Sequence, residues 1–565
     1  MITKAHSCQL EPNVNSSRSL LVTTLIGALL VALGGILRFA ISLDELLWLD
    51  ELHTSWAVHG SLAEVAGRAA DGNQSPLFFW LTWISVNLFG QSELSTRLIS
   101  VLASIGTMIL SACLTWKWTR SGIAAAVVVW LIALDVQFLF YGTEARPYAL
   151  IQCLSVAQVL LFWRAIEGRR LFANWRSSDN SNTQVTNTWM PYWALAIVST
   201  ALVYTHLTAV WIFVAELVFL VAHTIARATF GRSRKAIDCR NISFNAAAFL
   251  STAVIFLVAC VPAILQMVNV YQRKDNWQSI SSIVHLWSEI WIPLALYILL
   301  PVIYLSISFV IGMLFSSKPN GGPSVESRTP IIWRSVFVLM WASIPAICVA
   351  IGDYFEISPM ALHRYTVVGS VGFPVFAGLM TGSLSRSSIQ VGLALLIILF
   401  SGMQNRVLQS AFKNHQRYVF RVEDWRSPIN ELNAENSKQG HPVFVFANVI
   451  EDAAAFSTNE KRFQEFLRFP TQGIYQIDGS GRQVISGPTA DLTLAKGHFK
   501  DEHIALAKGQ GGAWILVRGR LRMAEEIEYE FYKKSTAMFG EEISELRVSI
   551  LETPESPVYL LSIDW

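Results

Sequence analysis

The chain is poor in charge: only 15% of its 565 residues are Asp, Glu, Lys or Arg, while 53% are hydrophobic, with 20 Trp and 32 Phe among them. That balance excludes an ordinary water-soluble enzyme and fits a membrane protein. A net charge of +2 gives no basic excess with which to hold nucleic acid. Cysteine is also scarce. Cys8, Cys113, Cys153, Cys239, Cys260 and Cys348 are scattered without CxxC spacing, which excludes a disulfide framework and a zinc knuckle. No Gly-rich phosphate loop follows a strand-like run, so no nucleotide-site motif is present. The first apolar run, Leu20 to Ile41, is followed by no small-residue cleavage site, and it reads as a retained first transmembrane helix.

What is present is a series of long apolar runs and a charged tail. About half of all Asp, Glu, Lys and Arg lie beyond residue 405, which divides the chain into a membrane domain, 1–405, and a soluble domain, 406–565. Lys4 and Arg18 before the first helix put the N-terminus in the cytoplasm and Asp50 outside. The outer loop, 42–96, then carries a capping-box pattern, Ser61 to Glu64, ahead of an amphipathic stretch that reads as an interfacial helix. Residues 76–90, PLFFWLTWISVNLFG, are about 15 residues long and short of the roughly 20 needed to span. Either they cross, or they lie at the interface or re-enter. The second choice puts every basic loop on one side and gives about eleven transmembrane helices, near 19–41, 97–116, 122–141, 147–163, 189–205, 208–226, 244–266, 289–315, 335–351, 365–382 and 388–404. In the tail, VFVF, GAWILVRG and PVYLLSIDW are strand-like, and the acidic run near EEIEYEFYKK is a solvated helix or strand face. The expected fold is therefore a polytopic α-helical membrane protein with a small C-terminal α/β domain.

The chemistry gathers at the outer helix ends. LWLDELHTSW places Asp50 beside Glu51, just past the first span, and ionisable groups there are costly unless solvated or used. Adjacent helical residues point about 100° apart, so only one of the two acids can face a reacting atom. By this topology the DGNQSP segment, 71–76, the pair Glu144 and Arg146, His206, and the pair His363 and Arg364 share that face. A carboxylate can act as general base toward a hydroxyl, and arginines suit a phosphate because their fork is bidentate and permanently charged. Plainer readings remain beside these: an exposed loop carboxylate for Asp50, a mutual salt bridge for Glu144 and Arg146, and a hydrogen-bonded turn residue for His206.

The ordered set LDE, DGNQSPLFFW, LFGQSELSTRLISVL, YGTEARPYAL, YTH and HRY, with EDWRSPINEL opening the tail, resembles the GT-C glycosyltransferases that use polyprenyl-phosphate sugars. Within that class the pattern is similar to the bacterial relatives of protein O-mannosyltransferases and of the lipid A aminoarabinose transferase. The resemblance implies outer-face transfer of a sugar from a polyprenyl-phosphate carrier to an acceptor hydroxyl on a lipid, glycan or protein, with inversion. It implies Asp50 as the catalytic acid of the first outer loop and general base, with Glu144 as a second acidic residue. Glu51, Arg146, Tyr148, His206, His363 and Arg364 are then the substrate-binding set. Where relatives often read HPPL or EKP, this chain has Asn73, Gln74, Ser75 and Pro76, so no metal ligands are assigned and a divalent metal is doubtful. A transporter or lipid flippase, and a non-catalytic membrane scaffold, are the readings from other classes.

Overall fold

The structure is a computed structural model that describes residues 14–167, 190–230, 253–265, 325–355, 363–384, 386–404, 423–435, 438–447, 465–478, 481–487, 498–540, 545–549 and 558–565. The chain enters through α1 (Val14–Asp44), followed by short helices α2 (Leu49–Ala57), α3 (Leu62–Asp71) and α4 (Pro76–Phe89). The bundle continues with α5 (Glu93–Thr119), α6 (Gly122–Leu134), α7 (Val136–Gly142), α8 (Tyr148–Glu167), α9 (Met190–Thr205) and α10 (Val210–Phe230). A helix over Ala253–Leu265, α11, precedes α12 (Val325–Tyr354), α13 (Val367–Ser370), α14 (Gly372–Gly382) and α15 (Ser387–Gln404). The expected helix at 289–315, and most of the basic loops that follow α8 and α10, lie outside the described residues.

Five of the described helices are long and apolar enough to cross a membrane, and a sixth span exists if α6 and α7 count as one. Their exposed faces are apolar: Leu25, Leu29 and Ile36 of α1 are more than half exposed, an arrangement stable only against lipid. The protein is thus a multi-pass α-helical membrane protein. The inward faces meet in one large core in which Phe162, Phe219, Phe337 and Trp341 are almost wholly buried. α4 has 14 residues, about 21 Å at 1.5 Å per residue, and is too short to span alone. Pro76 begins it where a missing N–H costs nothing.

Two expected helices are interrupted. The 122–141 helix bends by 65° between α6 and α7. Asp135 causes the break by accepting the N–H groups of Gln137 (3.0 Å) and Phe138 (3.2 Å), which starts a new helix. The carbonyls freed there are taken up by Arg38 of α1, fully buried, which donates to Ile132 (2.8 Å), Ala133 (3.1 Å) and Phe138 (3.3 Å), and to Ser104 Oγ (2.6 Å). The 365–382 helix instead begins as a 3-10 turn, His363–Tyr365, followed by α13 and α14. Pro374 cannot donate the N–H that would bind residue 370 and carry one helix through.

The C-terminal part begins with α16 (Arg426–Ala434) and builds a five-stranded sheet from β1 (Val443–Phe446), β2 (Val484–Ser486), β3 (Gly512–Arg518), β4 (Glu545–Ser549) and β5 (Val558–Asp564). The spatial order is β2-β1-β3-β5-β4, parallel on the β1 side and antiparallel around β5. All three strand-like runs of the sequence lie in this sheet, and the acidic run is helical, within α18 (Leu521–Phe539), which follows α17 (Asp501–Gly509). Alternation sorts the faces. Phe444, Phe446, Ile515 and Val517 point to α17 and α18, whereas Val443, Val445, Trp514 and Leu516 point the other way. That second face is closed by Leu52, Trp56, Phe78 and Phe79 of the 42–96 segment, so the sheet shares a core with that segment of the membrane part.

Arg38→Met would leave several carbonyls of the α6–α7 break without a donor in an apolar interior. The expected outcome is a loss of about 3 kcal/mol in stability, since each unsatisfied buried group costs roughly 1–3 kcal/mol, and thermal unfolding of the detergent-purified variant measures it.

Candidate active site

α2 is nine residues long and too short to hold its shape alone. Its first N–H groups are taken by carboxylates: that of Trp48 by Glu51 Oε2 (3.4 Å), and that of Leu49 by Glu423 Oε2 (2.9 Å). Glu423 also accepts from Trp425 Nε1 (3.1 Å) and from Arg518 Nε (2.8 Å) and Nη2 (2.7 Å), which ties the helix start to β3. Two further ties join the C-terminal part to this region: the Tyr475 hydroxyl accepts from Leu47 N (3.2 Å), and Ser55 Oγ of α2 accepts from Ile474 N (2.9 Å).

The two adjacent acids separate as helical geometry requires. Glu51 has no solvent exposure, and its carboxylate meets Arg97 in a fork, Oε1 to Nε at 2.7 Å and Oε2 to Nη2 at 2.6 Å. Oε1 also accepts from Ala145 N (2.8 Å). Glu51 therefore fixes the loop that carries Arg146 and is turned away from the open side of the site.

Asp50 faces the other way, 24% exposed, with Oδ2 at 3.1 Å from Arg364 Nη1 and 3.7 Å from Arg146 Nη2. Burial pushes its carboxyl up, but Arg146 and Arg364 more than reverse this and hold it below the ordinary carboxylate value. Arg364 is also hydrogen-bonded to Tyr148, the first residue of α8. Arg146 is 7% exposed, and its one side-chain hydrogen bond among the described residues goes to His53 Nδ1 at 3.2 Å. Its Nε, buried, has no partner there.

Because an arginine only donates, His53 Nδ1 must accept, which puts the imidazole proton on Nε2, 3.3 Å from the Arg68 carbonyl. Burial first, then Arg146, drives the His53 pKa down to about 3, so the ring is neutral. The ring lies between Phe79, Phe466 and Phe469, with centroids at 5.6–5.8 Å. Gly72 of the DGNQSP segment passes directly against it, where a Cβ would collide with the imidazole. His206 caps the 3-10 turn Leu207–Ala209, with Nδ1 accepting from Thr208 N at 3.2 Å. Its ring is 6.0 Å from that of Tyr148 and 5.9 Å from that of Tyr365. Burial, then Arg146 and Arg364, lowers its pKa to about 4.

The fold thus assembles Asp50, Arg146, Tyr148, His206 and Arg364. Glu144 is 2% exposed in the same loop, near enough to Arg146 to favour its charge. His363 opens the 3-10 turn before α13, and its side chain lies outside the described residues. Sequence reading missed Arg97, His53, Glu423 and Arg518. His53 had a signal, lying three residues beyond Asp50 on one helical face, and Arg97 had another as a charge entering an apolar span. Among the described residues, no group of three or more His, Cys, Asp or Glu side chains could hold a metal ion. A carboxylate flanked by two guanidiniums is also a poor donor set for a divalent cation.

Fold and site together define a multi-pass helical membrane protein with a carboxylate–diarginine cluster under a small mixed-sheet domain. In solved structures the chain is similar to ArnT from Cupriavidus metallidurans bound to undecaprenyl phosphate, with 12% identity over 95% of this chain and 97% of that one and a TM-score of 0.49. It is also similar to the oligosaccharyltransferase AglB from Archaeoglobus fulgidus in complex with an inhibitory peptide and a dolichol-phosphate, with 11% identity over 91% and 71% and a TM-score of 0.46. Likeness at this level assigns no residue a role. No family model and no curated protein matches the chain.

Glu51→Gln would leave Arg97 buried without its counter-charge. The expected cost is about 3–5 kcal/mol, read as a lowered thermal midpoint. The two neutral histidines set a pH dependence. Their folded pKa values, about 3 and about 4, lie below the ordinary 6.5, so the unfolded chain binds the protons and the folded one does not. Stability should be full above pH 6.5 and fall as pH drops toward 4, by about 1.4 kcal/mol per pH unit for each histidine. Equilibrium unfolding of His53→Gln/His206→Gln across that range should show a flatter curve than wild type.

Proposed function

We propose that the protein is a membrane glycosyltransferase that moves a sugar from a polyprenyl-phosphate carrier to an acceptor hydroxyl, with inversion, at the outer face, and that Asp50 is its general base. The observation that carries this reading is Arg146. A guanidinium 7% exposed, with one hydrogen bond and a partnerless Nε among the described residues, is an incomplete arrangement unless an anion completes it. Arg364, 35% exposed, supplies the second cation on the more open side. The ordered motif set of the sequence narrows the anion to the phosphate of a lipid-linked sugar, and the basic loops narrow the face to the outer one.

In the proposed reaction the acceptor hydroxyl oxygen attacks the anomeric carbon. The bond from that carbon to the phosphate oxygen breaks with its electron pair going to the phosphate, and the hydroxyl proton passes to Asp50. Arg146 and Arg364 stabilise the charge that grows on the leaving phosphate, so little general-acid help is needed. Tyr148 and His206 line the donor side, where the neutral His206 adds no competing charge. Glu144 supports Arg146, and His363 enters through its place beside Arg364. An apolar cavity of about 360 Å³, lined by Leu77, Trp80, Ile197, Thr200, Ala201, Tyr204 and Ala259, opens between α4, α9 and α11. It suits isoprenoid units, and Tyr204 on its wall is two residues from His206. The acceptor is a lipid, glycan or protein hydroxyl, and the reading calls for no metal.

A transporter is favoured by one observation: Glu216, 7% exposed within the span α10, accepts from Gln158 Nε2 at 3.2 Å. Substrate flux in proteoliposomes without covalent product would carry that reading.

Purified Asp50→Asn, assayed with a polyprenyl-phosphate sugar, should lose at least about 10³-fold in turnover, at the level of general-base loss, while keeping its thermal midpoint. Turnover near wild type would remove Asp50 from the chemistry.

A further inference from the structure

The same contacts that recommend Asp50 as a base also disable it. Its Oδ2 is hydrogen-bonded to Arg364 at 3.1 Å and lies 3.7 Å from Arg146, too far for a hydrogen bond. Among the described residues Oδ1 takes no hydrogen bond, and Arg146 Nε has no partner. One carboxylate oxygen therefore stands in front of two guanidiniums and satisfies neither fork. A carboxylate paired in this way has little affinity for a proton, which is the opposite of what a base needs.

We propose, resting on the reading above, that Asp50 is held by its own arginines until the phosphodiester of the lipid-linked sugar takes its place on them, so that arrival of the donor and release of the base are one event. The donor's phosphodiester offers two non-bridging acceptor oxygens that share one negative charge, enough to fill guanidinium forks that a single carboxylate oxygen leaves unfilled, and cleavage leaves a monoester with a third oxygen and a second charge on the same forks. Arg364, the more exposed partner, is where the exchange starts, and Arg146, fixed from behind by His53, is where the phosphate comes to rest. Once the arginines have turned to the phosphate, Asp50 regains affinity for the acceptor's proton. After the lipid phosphate leaves, Arg364 returns to Asp50 and the proton passes to solvent, which resets the site. In the empty protein the carboxylate is accordingly a competitor of the donor.

That competition gives a sign opposite to the usual one: removing the catalytic charge should strengthen ligand binding. Undecaprenyl monophosphate, the carrier that the reaction releases onto the same arginines, and inorganic phosphate are titrated separately into detergent-purified wild type, Asp50→Asn and Asp50→Ser by isothermal calorimetry, each protein being monodisperse and folded by its thermal transition. Binding of the lipid about tenfold tighter to both variants than to wild type is expected, the scale of one lost charge-assisted contact, with Arg364→Ala weaker than all of them. Equal or weaker binding to both Asp50 variants overturns the inference while leaving the transferase reading in place. Tightening for inorganic phosphate with no binding of the lipid keeps the inference and removes the lipid-linked donor. No binding of either probe by any form overturns both.

Discussion

Everything at the end of the bundle that carries Asp50 depends on the ion pair of Glu51 with Arg97, two charges with no exposure to solvent. Such a pair survives only if the remaining donors and acceptors are also met, and here they are. Arg97 donates to the carbonyls of Ser42 (3.3 Å), Glu45 (2.6 Å) and Leu46 (2.8 Å), while Glu51 accepts from Ala145 N. The end of α1, the start of α2, the first turns of α5 and the loop before α8 are thereby fixed to one point. Asp50 gets its direction as a consequence, because once Glu51 is committed its neighbour must face the other side.

A second constraint comes from the sheet. Glu423 holds Leu49 N on one side and Arg518 on the other, and aromatic rings from both parts enclose His53. A short helix gains its precision from being gripped twice, once by the bundle and once by the C-terminal sheet domain. The division at residue 405 is drawn from the sequence, where charge density changes. Packing does not observe it, since the sheet face formed by Val443, Val445, Trp514 and Leu516 is closed by residues of the 42–96 loop.

This contrast explains what could be read beforehand. Apolar runs announced the helices, and residues at their ends, Asp50, Arg146, His206 and Arg364, were recognisable because charge beside a bilayer is costly. Partner choice was not recognisable. Nothing local in LSTRLISVL states that Arg97 meets Glu51, 46 residues away, and nothing in LDEL says which acid is the structural one. The break at Asp135 was hidden for another reason: a span that is apolar on nearly every side has no period to be interrupted, and the one charged residue in it was the sign of a cap. The partner of that break, Arg38, lies on another helix. Sheet order, with β5 inserted between β3 and β4, is a tertiary matter that strand pattern does not encode.

The histidines show how far the arginines govern the site. An imidazole ordinarily changes charge near neutral pH, but His53 and His206 are buried beside Arg146, and each is driven to about 3 or 4. A protonated ring there would repel the guanidinium that it supports, and Arg146 would lose its acceptor at His53 Nδ1. Their neutrality is thus part of how Arg146 is aimed, through a lone pair that a charged ring would lack. The histidines consequently contribute no charge change near neutral pH. The phosphate monoester left on the arginines after transfer, whose second pKa is near 6, brings its own, so the protonation that matters for product release belongs to the ligand and not to the imidazoles around it.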